Sequence, residues 1–403
     1  MNHSKVPNWA GWLATFAGLL NRRIVVMTGA ALLTAACAVV PKSNAPATTT
    51  PAPPAPEPSA TALPTDSGRH RIALLVPLSG ETGAVGQAIA NATTMALLDT
   101  NADNLRITTY DTTAGIAAAA RQAIADGNKL ILGPLMADAV PQVHSVARAA
   151  GVPVIAFSND TSVASADVFV MGHNPEQAIR RSVAFARARG TNRFAALLPE
   201  GDYGTRAASA LSNALRDFGG VLARKESYAR GNTSILSAAQ RLRAAGGYDA
   251  VLIADSARLG IEAADELQRG SGPRTRIIGT ELWSGETVIA RAASMEGAIF
   301  SAVSDQRYRR FAESYEARFG SKPYRIATLG YDAVLLTLRI ARDWRVGTPF
   351  PKGELYDRGG FLGVDGPFRF ARNGIVERAL EVREVRRGEV TVVDPPPTSF
   401  GKQ

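Results

Sequence analysis

From residue 70 onward the chain alternates between two hydrophobic periods. Arg71-Ile72-Ala73-Leu74-Leu75-Val76 is a continuous apolar run closed by Pro77, the pattern of a strand buried on both faces. Gly83–Asp99 then carries Val85, Ile89, Met95, Leu97 and Leu98 on a helical period. The same exchange repeats. The pattern predicts strands near Leu105–Tyr110, Lys129–Leu132, Val152–Ala156 and Val168–Met171, separated by alanine-rich helices at Ala114–Ala125 and Asp138–Ala150. A second series follows: strands at Phe194–Leu198, Val221–Tyr228, Ala250–Ala254 and Arg276–Ile278, with helices at Tyr203–Phe218, Ser234–Ala245 and Arg258–Arg269. A long helix is expected over Tyr324–Trp344. Pro367–Phe370, Ala379–Val385 and Val390–Val393 read as a closing antiparallel set. Short buried strands alternating with helices argue an α/β class, and two such series argue two lobes, each a parallel sheet flanked by helices.

The amino-terminal part reads differently. Arg22 and Arg23 precede an uncharged run from Ile24 to Val40, and Leu33-Thr34-Ala35-Ala36-Cys37 sets small residues before the chain's one cysteine. Charge, apolar run and small residues at a cut point make an export leader over residues 1–37, by Sec or by a twin-arginine route. The cysteine at the cut resembles the lipobox of bacterial lipoproteins, which implies that Cys37 is acylated. An uncleaved membrane helix stays open, since the 17 residues from Ile24 to Val40 just reach across a bilayer. Ala38 follows the cysteine where an aspartate would favour inner-membrane retention, so the resemblance implies outer-membrane residence. Between Pro41 and Pro64, eight of 24 residues are proline. Residues 38–69 therefore read as an extended, disordered tether.

Composition narrows the function. Charged residues are 20% and apolar ones 46%, the balance of a soluble globular chain. A single cysteine excludes a disulfide framework and a thiolate metal cluster, and four scattered histidines make no imidazole site, so no metal or cofactor is expected. The net charge of +9 is spread over arginine pairs such as Arg180-Arg181 and Arg386-Arg387, without a nucleic-acid-binding motif, so no nucleic-acid partner is expected. No Gly-x-Ser-x-Gly elbow or nucleophile–base set occurs, which argues against an enzyme.

Several segments together carry a resemblance. Ile72-Ala-Leu-Leu-Val-Pro-Leu-Ser-Gly80, Gly83-Ala-Val-Gly-Gln87, Leu132-Gly-Pro134, Pro153-Val-Ile-Ala-Phe-Ser158, Gly201-Asp-Tyr-Gly204, Tyr248-Asp-Ala-Val-Leu252 and Gly330-Tyr-Asp332 follow the order and spacing of type 1 periplasmic solute-binding proteins of the Leu/Ile/Val-binding family. The match spans about residues 70–394. It implies a two-lobed head crossed three times by the chain, near His173–Pro175, Ser301–Asp305 and Trp344–Gly353. The expected boundaries are residues 70–173 with 305–344 for the first lobe, 174–304 with 345–394 for the second, and a tail at 395–403. Within the superfamily, Ile155-Ala-Phe-Ser-Asn-Asp160 with the lipobox and tether looks most like the penicillin-binding protein activator lipoproteins, which act on peptidoglycan synthases by contact. The helical-repeat domain that some members carry before the two-lobed head is not expected here.

Ligands of an α/β sheet sit beyond the carboxyl ends of its strands. Ser79 and Gly80 in the first loop could meet an anion at a helix start, or serve only as turn and cap. Ser158, Asp160 and Thr161 occupy the loop that holds an amino acid in the family. Asp160 stands where a small or hydroxyl residue belongs, and a plain Asn-Asp turn is the alternative. Tyr203 matches the family's aromatic lid, Glu281 the acid that pairs with a ligand ammonium, and Trp283 adds apolar surface. His173 lies at the first crossing, with a hinge contact and a plain loop position both open. Two functions are carried forward: a lipid-anchored activator contacting a peptidoglycan synthase, and a receptor handing an amino acid or small amide to an ABC permease.

Overall fold

The computed structural model describes residues 68–231, 234–270, 274–397 and 400. The leader, Cys37 and nearly all of the proline-rich tether lie outside the described residues. Those that are described belong to one compact unit. It contains two principal sheets and one small one.

The first sheet is built from β1 (His70–Val76), β2 (Leu105–Asp111), β3 (Leu130–Leu132), β4 (Val154–Ala156) and β5 (Val168–Val170), all parallel, in the order β2-β1-β3-β4-β5. Helices α1 (Gly83–Asp99), α2 (Ile116–Ala125) and α3 (Val140–Ala149) connect them. The apolar run in β1 explains its central place. Ile72, Leu74 and Val76 enter the core on one face and Ala73 and Leu75 enter the core on the other, as the two-residue side-chain period requires.

The second lobe opens with α4 (Pro175–Ala188). It continues through β6 (Arg193–Pro199), α5 (Asp202–Phe218), β7 (Val221–Tyr228), α6 (Ser234–Ala245), β8 (Ala250–Ile253), α7 (Ala257–Leu267), β9 (Arg276–Ile278) and β10 (Ile299–Ala302). Its sheet is β15-β14-β10-β9-β8-β6-β7, in which β14 (Glu381–Arg386) and β15 (Glu389–Asp394) run antiparallel. Phe194, Ala196 and Leu198 pack on one face of β6, Ala195 and Leu197 on the other. Both lobes are thus mixed α/β layers, with β1/β3 and β6/β8 forming the places where strand order reverses.

The chain returns to the first lobe through α8 (Gln306–Phe319), whose Phe311 and Tyr315 pack on Ala88, Ala92 and Met95 of α1, and through α9 (Thr328–Ala341). The segment that follows corrects the expected boundary. β11 (Phe361–Gly363), β12 (Gly366–Phe370) and β13 (Val376–Arg378) form a separate antiparallel sheet. Trp344, Phe350, Leu355, Phe361, Phe368, Phe370 and Val376 share one core with Ile72, Leu74 and Phe169. Residues 345–378 therefore pack with the first lobe, and the last crossing falls between Arg378 and Glu381. The reason is apolar burial: these aromatic side chains cover the face of the first sheet that α2 and α3 leave open. For the same reason the expected closing set is divided, with β12 in the small sheet and β14–β15 in the second lobe.

Candidate functional site

Strand-end loops meet between the lobes, those after β3 and β4 from the first and that after β9 from the second, with α5 of the second lobe reaching across. Beyond β4, Ser158 is buried and its Oγ accepts the Asp160 amide at 3.0 Å. Asp160 caps the single turn Thr161–Val163, its Oδ1 accepting the Ser162 amide at 2.9 Å. Burial pushes the Asp160 carboxyl up, but the Ser162 bonds and the Arg206 charge outweigh it and hold the group below its ordinary value. The turn role thus accounts for Asp160. Thr161 Oγ1 donates to Glu176 Oε1 at 3.4 Å.

Across the cleft Tyr203 lies in the first turn of α5. Its hydroxyl donates to Glu281 Oε1 at 3.0 Å and shares a 2.9 Å hydrogen bond with Thr280 Oγ1. Burial, then the Glu281 charge, raises the phenol well above its ordinary value. Burial also pushes the Glu281 carboxyl up to about 7, although the Tyr203 bond and Arg206 pull the other way. Glu281 Oε2 is buried and has no hydrogen-bond partner among the described residues, an arrangement that costs about 1–3 kcal/mol unless something binds it.

Arg206 completes the cluster. It sits one turn beyond Tyr203 on α5, with its guanidinium 5.8 Å from the Tyr203 ring centre. Its Nη1 donates to the Asn159 carbonyl at 2.6 Å, its Nη2 to Asn159 Oδ1 at 3.2 Å, and it lies 3.5 Å from Glu176 Oε1. The second lobe therefore reaches across the cleft and holds the first by its backbone. The sequence reading passed over Arg206. The available signal was its i+3 spacing from Tyr203, which places both on one helix face.

The open space between the lobes is a cavity of about 510 Å³ whose walls include Phe157, Ser158, Asn159, Glu281, Tyr324 and Arg325. Of the expected residues, Ser158 and Glu281 line it, while Tyr203 and Thr161 stand behind it in contact with Glu281 and Glu176. Ser79 and Gly80 do not join them. They are exposed at the end of β1, where the Ser79 amide meets Thr113 Oγ1 at 3.4 Å and the Gly80 carbonyl accepts the Gly83 amide at 3.1 Å. This is a turn role, and the N-cap position of α1 falls to Thr82. Trp283 is a clear correction: its side chain is fully buried, its Nε1 donates to the Asp255 carbonyl at 2.9 Å, and it packs edge-on to Phe300. An indole so enclosed is core and offers a ligand no surface.

Where the chain crosses between lobes, buried charges stand beside a small apolar cluster of Ala178, Val303 and Leu380. His173 Nε2 lies 2.8 Å from Asp365 Oδ2, which also accepts from Thr328 Oγ1 at 2.7 Å. Burial lowers the imidazole's affinity for a proton, with Asp365 opposing. Arg378 Nη2 donates to the Met171 carbonyl at 2.8 Å, tying the third crossing to the first. Arg383 Nη2 donates to the Val303 carbonyl at 2.5 Å, tying the third to the second. His173 is therefore a hinge contact. Asp365, Arg378 and Arg383 escaped the sequence reading because no local period links residues so far apart. Among the described residues no group of His, Cys, Asp and Glu could hold a metal ion. No described helix is long and apolar enough to cross a membrane.

With this geometry in hand, comparison with known proteins is informative. The model of the family described as periplasmic binding protein matches residues 70–389. An uncharacterised protein of Rickettsia prowazekii is 29% identical over 159 residues, 39% of this chain and 43% of its own. The penicillin-binding protein activator LpoA of Glaesserella parasuis is 29% identical over 147 residues, 36% of this chain and 25% of its own. The chain thus spans less than half the length of either relative. Among solved structures, a Rhodospirillum rubrum protein assigned to branched-chain amino acid ABC transport superposes with a TM-score of 0.70 at 21% identity, covering 81% of this chain and 100% of that one. A periplasmic ligand-binding protein of a branched-chain amino acid ABC transporter from Burkholderia xenovorans gives 0.67 at 16% identity, covering 81% and 96%. LivJ of Streptococcus pneumoniae, in complex with isoleucine, gives 0.60 at 19%, covering 81% and 100%. At such identities the likeness is one of fold.

Proposed function

The chain belongs to the periplasmic binding protein family, in its type 1, Leu/Ile/Val-binding branch, and from that premise we propose that its head acts by contact, as a lipid-anchored activator of a peptidoglycan synthase. One observation carries the reading. Arg206 spans the cleft and bonds the opposite lobe's backbone directly, so the protein's own side chain joins the lobes. The bonds between the three crossings add stiffness to the hinge. A head held in one shape presents a constant surface, as a contact activator needs. The similarity to a penicillin-binding protein activator over 147 residues supports the same direction. On this reading Cys37 carries the acyl group that holds the head to the outer membrane, the tether gives reach, and no chemistry is performed. The test is a pull-down of purified envelope glycosyltransferase/transpeptidases with the full chain, together with their glycan polymerisation rate. Specific binding and a faster rate are expected; no binding and an unchanged rate refute the proposal.

A second reading rests on a separate observation, the cavity of about 510 Å³ with the unpartnered Glu281 Oε2 on its wall. Its size lies within the range of small-molecule sites, and a ligand ammonium would satisfy the carboxylate. The head would then be the receptor of an ABC permease for an amino acid or small amide, with Ser158 and Glu281 as ligand contacts. Thermal-shift measurements against amino acids separate the two readings. Stabilisation by one amino acid that disappears in Glu281→Ala favours the receptor.

A further inference from the structure

Behind the cleft, where the three crossings meet, lies a small recess of about 40 Å³. Its wall takes His173 from the first crossing, Val303 from the second and Arg378 from the third, together with Arg325 of the first lobe and Glu281 and Ser284 of the second. His173, Glu281, Ser284 and Arg325 also line the cleft cavity, so the recess adjoins it. A space of this size takes one atom-sized ion or a few waters and excludes an amino acid.

Four residues of this wall carry buried polar atoms that make no hydrogen bond among the described residues: Arg378 Nε and Nη1, the three guanidinium nitrogens of Arg325, Ser284 Oγ and Glu281 Oε2. Buried polar groups are almost always paired, so a cluster of unpaired ones points to an occupant. Guanidinium nitrogens only donate, and the Ser284 hydroxyl can donate with them. The carboxylates nearby do not meet this demand. The Arg378 side chain is 2% exposed, its Nη2 is spent on the Met171 carbonyl, and the one carboxylate within ion-pair reach among the described residues is Asp332, at 4.0 Å. Burial, then the Asp365 charge, pushes the Asp332 carboxyl up towards its neutral form. Asp365 lies 2.9 Å from Arg325 Nη2 but is shared with His173 and Thr328. Asp305 stands 3.5 Å from Arg325 Nη1 and turns its other oxygen to Arg383. A guanidinium as deeply buried as that of Arg378 is costly without a counter-charge. Water answers poorly, since each molecule brings two hydrogens of its own and Glu281 Oε2 is the one unpartnered carboxylate oxygen on the wall. A cation would be repelled by the same donors.

We propose that the recess binds one small monovalent anion of the chloride class, held by Arg378, Arg325 and Ser284. The ion supplies the counter-charge that Arg378 lacks and accepts hydrogen bonds without bringing donors of its own. Because Arg325 belongs to the first lobe and Ser284 to the second, it also ties the lobes together at the hinge, independently of any solute in the cleft. The inference goes beyond both functional readings and rests on neither.

The experiment uses the full chain and sodium chloride, with sodium gluconate replacing it at constant ionic strength. The urea midpoint is expected to rise with chloride and, once the site is filled, to follow the logarithm of its concentration, as for one ligand bound to the native state. The rise should vanish in Arg378→Gln, and Ser284→Ala should need severalfold more chloride for the same shift. Circular dichroism checks folding, and Arg325→Gln takes the place of Arg378→Gln if the latter does not fold. Independently, crystals of the parent soaked in sodium bromide should show an anomalous peak in the recess beside Arg378. A midpoint indifferent to chloride, or a response undiminished in the arginine variant, overturns the proposal. So does a water in the recess of the bromide-soaked crystal. A bromide peak without any chloride effect on the midpoint is an adventitious ion only and overturns it as well. None of these outcomes depends on whether a synthase or an amino acid binds the head.

Discussion

Removing the Arg206 guanidinium should open the cleft, and the size of the effect follows from its bonds. Arg206 contributes two charge-assisted hydrogen bonds to Asn159, at 2.6 and 3.2 Å, and its side chain is 17% exposed. Charge-assisted hydrogen bonds contribute about 1.5–3 kcal/mol each when made in partial burial, and the longer one less. The ion pair to the 31% exposed Glu176 is 3.5 Å long and adds under about 1 kcal/mol. A loss of about 2–4 kcal/mol shifts the closed-to-open ratio by roughly thirtyfold to several hundredfold. A head that is almost wholly closed would then spend a large share of its time open. Met136 and Glu286 are exposed residues on opposite lobes beside the cavity, well placed for spin labels. In a Cys37→Ser background, Met136→Cys/Glu286→Cys should give one narrow distance distribution by pulsed electron resonance, without added solute. Arg206→Ala should add a longer, broader component, and Arg206→Lys, which keeps the charge but loses the fork, should fall between. A distribution unchanged in Arg206→Ala, or already broad in the parent, would refute the idea that this residue is a strut.

Other consequences are equally direct. A Cβ on Gly279 would stand 2.2 Å from Trp283 Cε3 and on Gly260 2.8 Å from Trp283 Cζ2. Gly279→Ala should therefore destabilise the head by at least the roughly 1–3 kcal/mol of ordinary overpacking, and more than Gly260→Ala, in urea titrations. Glu281 is held near 7 against an ordinary 4.5, so its neutral form is the one the fold accommodates. That contribution is complete below about pH 4.5 and is lost as pH rises towards 7; a shift of this size corresponds to at most roughly 3 kcal/mol. Glu281→Gln should abolish this part of the pH slope in denaturant midpoints between pH 4.5 and 7, and an unaltered slope would contradict the burial argument. Cys37→Ser should move the full chain from the membrane fraction to the soluble periplasmic fraction, and mass spectrometry of the parent should show acylation; an unmodified thiol would exclude the lipid anchor.

The contrast between what sequence revealed and what it hid has a physical basis. β1 and β6 were legible because strands buried on both faces need uninterrupted apolar residues. Segment 345–378 had no such mark, since β11–β13 are three to five residues long and their aromatic anchors follow no single period. α8 was missed because its buried stripe is aromatic, Tyr308, Phe311, Tyr315 and Phe319, set among arginines and glutamates; the 3-4-4 spacing was there to be read. In the cleft, residue type misled where two roles share one residue. Trp283 offers the same indole to a core or to a ligand, and its burial between Gly260 and Gly279 depends on contacts formed only in the folded state. The glycines of both lobes illustrate the same point. Gly86 and Gly204 belong to motifs that suggest ligand loops, yet a Cβ at either would strike, at 1.8 Å, the carbonyl oxygen of Pro77 or Pro199. Each is required so that the helix following the first strand of its lobe can pass close over that strand's end. A motif shared with solute-binding proteins thus preserves the frame around a cleft, while Arg206, which bonds across it, and Glu281, which lines it, stand outside those glycine motifs.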